Sequence, residues 1–273
     1  MQQGTKDLQG WVTVLCNAEI PILRQTVRGL QNLRKEGDKA SPYDIATIIS
    51  RDPLMTAILL RYLQVNKRRS QTNVVLEIEQ ALLMLGMDTF FNKVVSKVSV
   101  EDMLRTNIPA LVSTLQVVHR SHRASSYAFD WAVRLRDLHF EEIRIAALLY
   151  DMTEILMWCF APAEMLRIKA MQEQDKSLRS GEAQQQVFGF ALSALQKELV
   201  SKWELPTFLL HLIDNESSQQ ERVLNVVLAC RLARHVSYGW DDAALPDDYR
   251  DIGALLNMQA EDVMGIVGAE IPE

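Results

Sequence analysis

Apolar residues recur at helical spacing along nearly the whole chain. In the segment 51–66, Leu54, Ala57, Ile58 and Tyr62 fall at positions i, i+3, i+4 and i+8, which places them on one face of a helix. No segment alternates apolar and polar residues with β-branched enrichment, and no fixed-length repeat is evident. The pattern therefore predicts an all-α protein without strands.

Start and stop signals bound these helices. Ser41, Pro42 and Asp44 have the spacing of a capping box, and Asp52 before Pro53 repeats the same device. The segment 141–160 is apolar on nearly all sides, which is typical of a central buried helix. The predicted helical segments are 19–37, 41–50, 51–66, 76–86, 110–136, 141–160, 182–203, 206–213, 221–237, 248–257 and 260–267. Residues Leu111, Leu115, Val118, His122, Phe129 and Ala132 form the predicted apolar stripe of the segment 110–136.

Composition indicates a soluble protein of a reducing compartment. The 273 residues are enough to bury roughly three quarters of the unfolded surface without disulfides or a structural metal. The cysteines Cys16, Cys159 and Cys230 are odd in number and form no CxxC pair. We see no signal-peptide pattern and no apolar run of the roughly 18 residues that would span a bilayer, so we expect a cytoplasmic location.

Charge is unevenly distributed along the chain. The formal net charge is −6, which disfavours general nucleic-acid binding. Residues 241–273 contain one Lys or Arg and nine Asp or Glu, so this acidic extension alone carries −8. The basic run 66–69 could bind nucleic acid or acidic lipid, or meet an acidic partner such as the extension of another copy. A solvated loop is the preferred interpretation, since no aromatic residue is interleaved with it.

One acid stands out in the apolar stretch "AALLYDMTEILM", residues 146–157. A charge in such a helix must be paired or neutralised, so Asp151 needs a partner. Glu154 lies three residues later on the same helical side, and together the two acids predict an Arg or Lys from a neighbouring helix. A contact to a ligand or partner protein and a role as metal ligand are the alternatives.

Four short motifs, spaced along the chain, occur in an order that resembles a known family. Ile20–Pro21 precedes "IISRDPLMTAILLRYLQVN", which runs from Ile48 to Asn66, and the stretch "ALLYDMTEI" lies in the second half of the chain. Two further landmarks are Ile78, Ala81, Leu85 and Gly86, and then Leu199, Trp203, Leu205 and Pro206. In this order the landmarks resemble the HDOD family, the HD-related output domains of bacterial signalling proteins.

The resemblance implies two packed helical subdomains. We expect an N-terminal bundle over residues 10–105 and a degenerate HD-like bundle over residues 106–240, followed by the extension 241–273. It also implies a structural role for the landmark residues Asp52, Pro53, Asn66, Gly86, Trp203 and Pro206.

The family is similar to HD phosphohydrolases, in which an H…HD…D set of ligands holds a metal that activates water. Tyr150 stands where the motif histidine would be, and a phenol with a pKa near 10 is a poor ligand at neutral pH. Only His122 lies near the place of the first motif histidine, and only His211 and Asp214 follow the Trp203 landmark. We therefore expect no catalytic residue and no metal. The residues of the candidate vestigial pocket are His122, Tyr150, Asp151, Glu154 and His211.

The resemblance favours a non-catalytic regulatory module of a bacterial signalling system. Such a module would need no cofactor and would contact other signalling proteins in trans, because this chain is too short to carry a second signalling domain. No nucleic-acid or membrane partner is expected, and homo-oligomerisation is left open. The alternatives are a nucleotide or small-molecule sensor that uses the vacated pocket and a surviving metal-dependent phosphohydrolase.

Overall fold

The computed structural model describes residues 6–37, 40–66, 78–205, 208–213, 220–237 and 239–269. Within these ranges the chain forms α-helices and no β-strand, which confirms the predicted all-α fold. A short π-helical segment, Phe90–Val94, follows α6. The helices are α1 (Leu8–Asn17), α2 (Arg24–Glu36), α3 (Pro42–Ile49), α4 (Pro53–Val65), α5 (Ile78–Leu85), α6 (Met87–Thr89), α7 (Val100–Met103), α8 (Ile108–Arg134), α9 (Phe140–Leu149), α10 (Met152–Phe160), α11 (Pro162–Gln174), α12 (Ser180–Phe188), α13 (Leu192–Lys202), α14 (Phe208–Ile213), α15 (Glu221–Val236), α16 (Leu245–Leu256) and α17 (Ala260–Val267).

Helix α8 is the centre of the second half of the fold, and it packs against α9, α10, α11 and α15. Its buried face consists largely of small residues, which allow the neighbouring helices to approach closely. This face is rotated from the predicted apolar stripe, since Leu115 is 38% exposed. The large apolar side chains of α8 predicted the wrong buried face. The face that is buried is lined mainly by alanine, serine and threonine. Its small members are Ala110, Ser113, Thr114, Ser121, Ala124, Ser125, Ala128 and Ala132.

Residues 19–23, between α1 and α2, are extended where the apolar spacing predicted a helix. Ile22 forms an isolated parallel bridge with Ser99, in which the Ile22 amide donates to the Val98 carbonyl at 3.0 Å. The Val100 amide donates back to the Ile22 carbonyl at 2.9 Å. Because Pro21 has no N–H and disfavours helical geometry in the residue before it, α2 starts only at Arg24.

Two predicted helices are each divided in the structure. The segment 141–160 forms α9 and α10, which are separated at Tyr150 and Asp151 because the Asp151 backbone leaves helical geometry (φ −97°, ψ 17°). The segment 182–203 forms α12 and α13, separated after Gly189, whose φ of 82° ends α12 in the left-handed conformation. The first division places Asp151 at the N-cap of α10, with its side chain free to leave the helix.

The apolar helices α9 and α10 are followed by a sharp bend into α11. No single helix among the described residues is both long and apolar enough to cross a bilayer. The stretch Phe140–Phe160 is long and apolar enough for a membrane span only when it is combined with Pro162–Gln174. The angle between these two segments is 113°. Most of the apolar residues of α9 and α10 are buried inside the protein.

The described residues share one buried apolar cluster that includes residues of all three predicted parts. The Trp11 and Phe188 rings meet edge to face with centroids 6.3 Å apart, and the Arg61 guanidinium lies 5.0 Å from the centroid of the Trp203 ring. These contacts connect α1 and α4 to α12 and α13. The boundaries at 105/106 and 240/241 remain a prediction, because a shared core does not define where a domain ends.

The acidic extension is packed against α15. Leu245, Ile252 and Val263 are buried, and the carboxylate of Asp248 is nearly inaccessible. Arg231 Nε donates to Asp248 Oδ1 at 2.6 Å, and His235 Nδ1 lies 2.5 Å from Asp248 Oδ2. Several of the negative charges that make this segment distinctive are therefore paired, and α16 and α17 form an ordered part of the fold.

Replacing Gly253 by alanine is expected to loosen this packing. A Cβ at Gly253 would lie 2.7 Å from the Met258 carbonyl oxygen, and this backbone atom cannot move without shifting the turn into α17. We expect the free energy of unfolding to fall by about 1–3 kcal/mol in urea titrations. Gly265→Ala is the matched control, since a Cβ there meets no atom within 4 Å. Equal stability of both variants would show that the predicted clash does not occur.

Candidate functional site

Asp151 lies between helices α8 and α15 and is bound by an arginine from each. Arg120 of α8 donates from Nε to Asp151 Oδ2 at 2.9 Å, and its Nη2 lies 2.7 Å from the same oxygen. The same Nη2 donates to Glu154 Oε2 at 2.8 Å. Arg234 of α15 donates from Nη2 to Asp151 Oδ1 at 3.1 Å. The predicted cationic partner of the two acids is thus Arg120, and Arg234 is a second partner of Asp151.

Burial and pairing act in opposite directions on these charges. Burial alone would raise the pKa of the Asp151 carboxyl, but the Arg120 and Arg234 guanidinium groups hold it below its ordinary value. Burial likewise disfavours the Arg120 cation, yet Asp151 and Glu154 raise its pKa above the ordinary arginine value. The side chains of Arg120 and Asp151 are each only 10% exposed. This is therefore a buried, fully ionised pair, reinforced by two charges at its edge.

Tyr150 and Cys230 are neutral neighbours of this ion pair. Burial raises the pKa of the Tyr150 hydroxyl to about 12, so the phenol stays protonated at neutral pH. Burial also raises the pKa of the Cys230 thiol well above its ordinary value, and its Sγ lies 3.9 Å from the Ala147 carbonyl oxygen. Neither side chain supplies an anion that could bind a cation.

A cavity of about 830 Å³ opens beside the ion pair. We call it the Asp151 cavity. Its walls come from α8, α11, α12, α13 and α15 and from the Tyr150–Asp151 break, and most of its lining side chains are polar. The polar and charged lining residues are Arg120, Tyr150, Asp151, Glu154, Lys169, Gln172, Glu173, Lys176, Ser180, Gln184, Ser193, Gln196, Arg234 and Asp242. This volume is within the range of roughly 300–1,000 Å³ typical of small-molecule sites.

His122 lies at a different cavity, although it was predicted to share a pocket with Asp151. Its Nε2 is 2.7 Å from the Arg51 carbonyl oxygen, and it lines a cavity of about 1,100 Å³ between α2, α3, α8 and α9. Burial lowers the pKa of His122, so the neutral ring donates to Arg51 at neutral pH. On α8, His122 follows Arg120 by two positions, which places the two side chains on nearly opposite sides of the helix, about 160° apart.

His211 is exposed on α14 and does not line either of the two cavities described here. The structure therefore brings together Tyr150, Asp151 and Glu154 of the predicted pocket and places both histidines elsewhere. Asp214, Pro206 and residues 67–69 of the basic run lie outside the described residues.

The other landmark residues occupy structural positions. Asp52 caps α4 and Pro53 is its first residue, while Asn66 ends the same helix and donates from Nδ2 to the Tyr62 carbonyl at 2.8 Å. Gly86 follows α5 with a φ of 79°, a left-handed conformation that favours glycine. Trp203 is buried with 1% of its surface exposed.

The residues around Asp151 do not fit a metal ion. In the part of the chain that the structure describes, no group of three or more His, Cys, Asp or Glu side chains is arranged to hold one. The Arg120 guanidinium binds the carboxylates of both Asp151 and Glu154. A cation of the protein itself thus lies against the acids that would otherwise serve as ligands.

Arg120, Arg234, Lys169 and Lys176 were not identified from the sequence as members of this site. The two neighbouring acids indicated that a cation must be present, but the chain contains 29 Lys and Arg residues. Arg120 carried one further signal, because it is a charged residue in the middle of a long helix with one buried face. Spacing along α8 could not reveal that α15 would contribute Arg234, since the two residues are far apart in sequence.

The comparisons with known proteins agree with this architecture. The sequence profile of the HDOD domain matches residues 20–219, which is most of the chain. The chain belongs to the HDOD family. No curated protein matches the sequence significantly.

Solved structures of low sequence identity share the HDOD fold. The MmoQ response regulator of Methylococcus capsulatus is 17% identical, with a TM-score of 0.65 and coverage of 93% of this chain and 99% of that one. A virulence factor of Campylobacter jejuni is 18% identical, with a TM-score of 0.67 and coverage of 97% and 91%. An HDOD domain protein of Geobacter sulfurreducens is 17% identical, with a TM-score of 0.50 and coverage of 96% and 92%. At these identities the likeness concerns the fold alone.

Proposed function

We propose that this HDOD protein is a non-catalytic regulatory module of a bacterial signalling system. The observation that carries the proposal is the buried contact of Arg120 with Asp151 and Glu154. A metal-dependent phosphohydrolase of the HD type needs the carboxylate at the position of Asp151 to bind metal, and here a guanidinium from α8 binds it instead. The name of the MmoQ response regulator, which shares the fold, supports a role in signalling.

Metal and hydrolysis assays test the non-catalytic part of the proposal. We expect the purified protein to contain no stoichiometric metal by plasma mass spectrometry, and Mn²⁺ or Fe²⁺ to leave the melting temperature unchanged. Hydrolysis of p-nitrophenyl phosphate and of its bis-ester should equal the buffer rate. The proposal fails if hydrolysis exceeds that rate and is lost in Asp151→Asn but retained in Asp130→Asn, whose parent carboxylate pairs with Arg134 on the exposed surface.

Action through protein contacts is supported by the exposed face of α8. Ile108, Val112 and Leu115 lie at i, i+4 and i+7 and are 57%, 47% and 38% exposed. Neighbouring exposed apolar side chains on one helix face are available for contact with another protein. We propose that this row binds a signalling protein supplied in trans.

A pull-down from native lysate of the source cells tests this contact. We expect wild-type protein to recover a protein identified by mass spectrometry as a signalling component. Val112→Glu should reduce that recovery by about tenfold, because it places a charge in an apolar contact. Gln31→Glu introduces the same charge on the exposed surface of α2 and should have no effect. Equal recovery by both variants would argue against the α8 row as the contact surface.

A small-molecule sensor is the second candidate function. The Asp151 cavity supports it, since a volume of about 830 Å³ with a largely polar lining is suited to a ligand. Both candidates agree on the absence of hydrolysis. In the second, ligand binding would change the packing of the helices that meet at the cavity and thereby alter the contact surface of the protein.

A further inference from the structure

The Asp151 cavity contains hydrogen-bond donors that the protein itself leaves unused. Arg120 contacts its two acids through Nε and Nη2, and no acceptor among the described residues contacts its Nη1. The Arg120 side chain is nine-tenths buried, and it lines this cavity. Tyr150 lines the same cavity, and its hydroxyl is a protonated donor because burial raises its pKa to about 12.

Lys169 of α11 and Lys176, which lies two residues beyond the end of α11, add two ammonium groups to the cavity lining. Lys169 Nζ donates to Ser113 Oγ at 3.1 Å, and an ammonium group has two further hydrogens to donate. Arg234 uses Nη2 for Asp151 and has Nε and Nη1 as further donors.

The acidic residues of the cavity do not take up the remaining donors of Arg120, Lys169 and Arg234. Asp151 accepts from guanidinium groups through both carboxylate oxygens and Glu154 through Oε2, so these two negative charges are paired within the protein. Glu173 is exposed, and Asp242 is half-buried and accepts from the Ala244 amide at 2.9 Å. A ligand group that only accepts hydrogen bonds and carries negative charge would therefore complement the base of the cavity.

We propose that the Asp151 cavity binds the phosphate group of a small phosphorylated molecule, with Arg120, Lys169 and Arg234 as its donors. Three cations from α8, α11 and α15 converge on this space, and a phosphate monoester offers three oxygens to three separate directions, whereas a carboxylate offers two in one plane. The cavity is larger than a phosphate ion, and the amides of Gln172, Gln184 and Gln196 line the remaining space. The inference rests on the proposed function, because a pocket that does not hydrolyse esters can retain one as a ligand.

Calorimetric titration tests the proposal with inorganic phosphate, glucose 6-phosphate and AMP, and with glucose and adenosine as their unphosphorylated counterparts. We expect at least one phosphate ester to bind more tightly than inorganic phosphate, and glucose and adenosine not to bind. Lys169→Met should weaken binding by about tenfold, the effect of one charge-assisted hydrogen bond at a partly exposed site. Lys202→Met, which removes an exposed ammonium of α13 outside the cavity, should leave affinity within about twofold.

The results separate this inference from the function on which it rests. Absence of binding by all three phosphates at about 10 mM, or equal weakening by Lys169→Met and Lys202→Met, overturns the phosphate site and leaves a non-catalytic module intact. Phosphorus NMR of the titrated samples reports the fate of the ester. Release of inorganic phosphate from a bound ester would refute the non-catalytic function, whereas an intact bound ester supports both. If Lys169→Met lowers the melting temperature, Lys169→Gln, which keeps a hydrogen-bonding side chain but removes the charge, replaces it as the test variant.

Discussion

Replacing Asp151 by alanine is expected to lower the free energy of unfolding by about 3–5 kcal/mol, one of the two largest effects predicted for a single substitution in this protein. The variant leaves the Arg120 guanidinium with only Glu154 as a partner and removes the acceptor of Arg234. The Arg120 cation is nine-tenths buried, so it keeps only a small part of its hydration and depends on its carboxylate partners. Urea denaturation at neutral pH, followed by circular dichroism, measures the loss.

Asp130→Ala is the matched control, because Asp130 also pairs with an arginine but is 48% exposed. An exposed pair of this kind contributes about 0–1 kcal/mol. If the two alanine variants were equally stable, the Asp151 pair would be no more important than a surface ion pair. The double variant Arg120→Met with Asp151→Leu should recover much of the lost stability, since apolar side chains of similar size need no partner.

The pH dependence of stability gives an independent measurement of the same pair. The pKa of Asp151 in the folded protein is held below its ordinary value, whereas the unfolded chain has a pKa near 3.9. The contribution of the pair is therefore fully present above about pH 4 and is lost as the pH falls through the lower folded-state pKa. We expect the stability difference between wild type and Asp151→Ala to shrink on acidification below about pH 4. A constant difference down to pH 2 would contradict a depressed pKa.

The sequence predicted the fold better than it predicted the site, and the reasons are local. Caps such as Ser41 and Asp52 act within a few residues, so the beginnings of α3 and α4 followed from the sequence alone. The buried face of α8 did not follow, because its small residues have little hydrophobic signal of their own. The division at Asp151 was also missed, since the arginines that bind its side chain are distant in sequence.

The sequence predicted that Asp151 pairs with a cation, but it did not predict which residues supply the positive charge. Burying Asp151 required a cation, and this requirement held because the cost of an unpaired charge is large in any packed core. Which cation depended on how α8 and α15 rotate against α10, and helical spacing alone does not fix that rotation. His122 illustrates the same point, because its side chain projects from α8 in a different direction from that of Arg120.

Asp52→Ala is the second substitution with a large expected effect. The Asp52 carboxylate is fully buried and accepts three backbone amides, from Leu54 at 3.0 Å, Met55 at 3.1 Å and Leu23 at 2.7 Å. Two of these bonds cap α4, and the third attaches the extended segment before α2 to that cap. Alanine would leave three N–H groups without acceptors in the protein interior, so we expect a loss of about 3–5 kcal/mol in urea denaturation.

Asp7→Ala separates the capping contribution from the long-range one. Asp7 caps α1 on the exposed surface, where its Oδ1 accepts from the Gly10 amide at 2.8 Å. Its loss should cost only about 1 kcal/mol, since water can replace the carboxylate there. The loss of stability in Asp52→Asn should be intermediate. The three amides now bind two carboxylate oxygens, whereas the asparagine side chain offers only one acceptor oxygen. A cost for Asp52→Ala no larger than that for Asp7→Ala would mean that Leu23 is held by other contacts and that Asp52 acts as a helix cap alone.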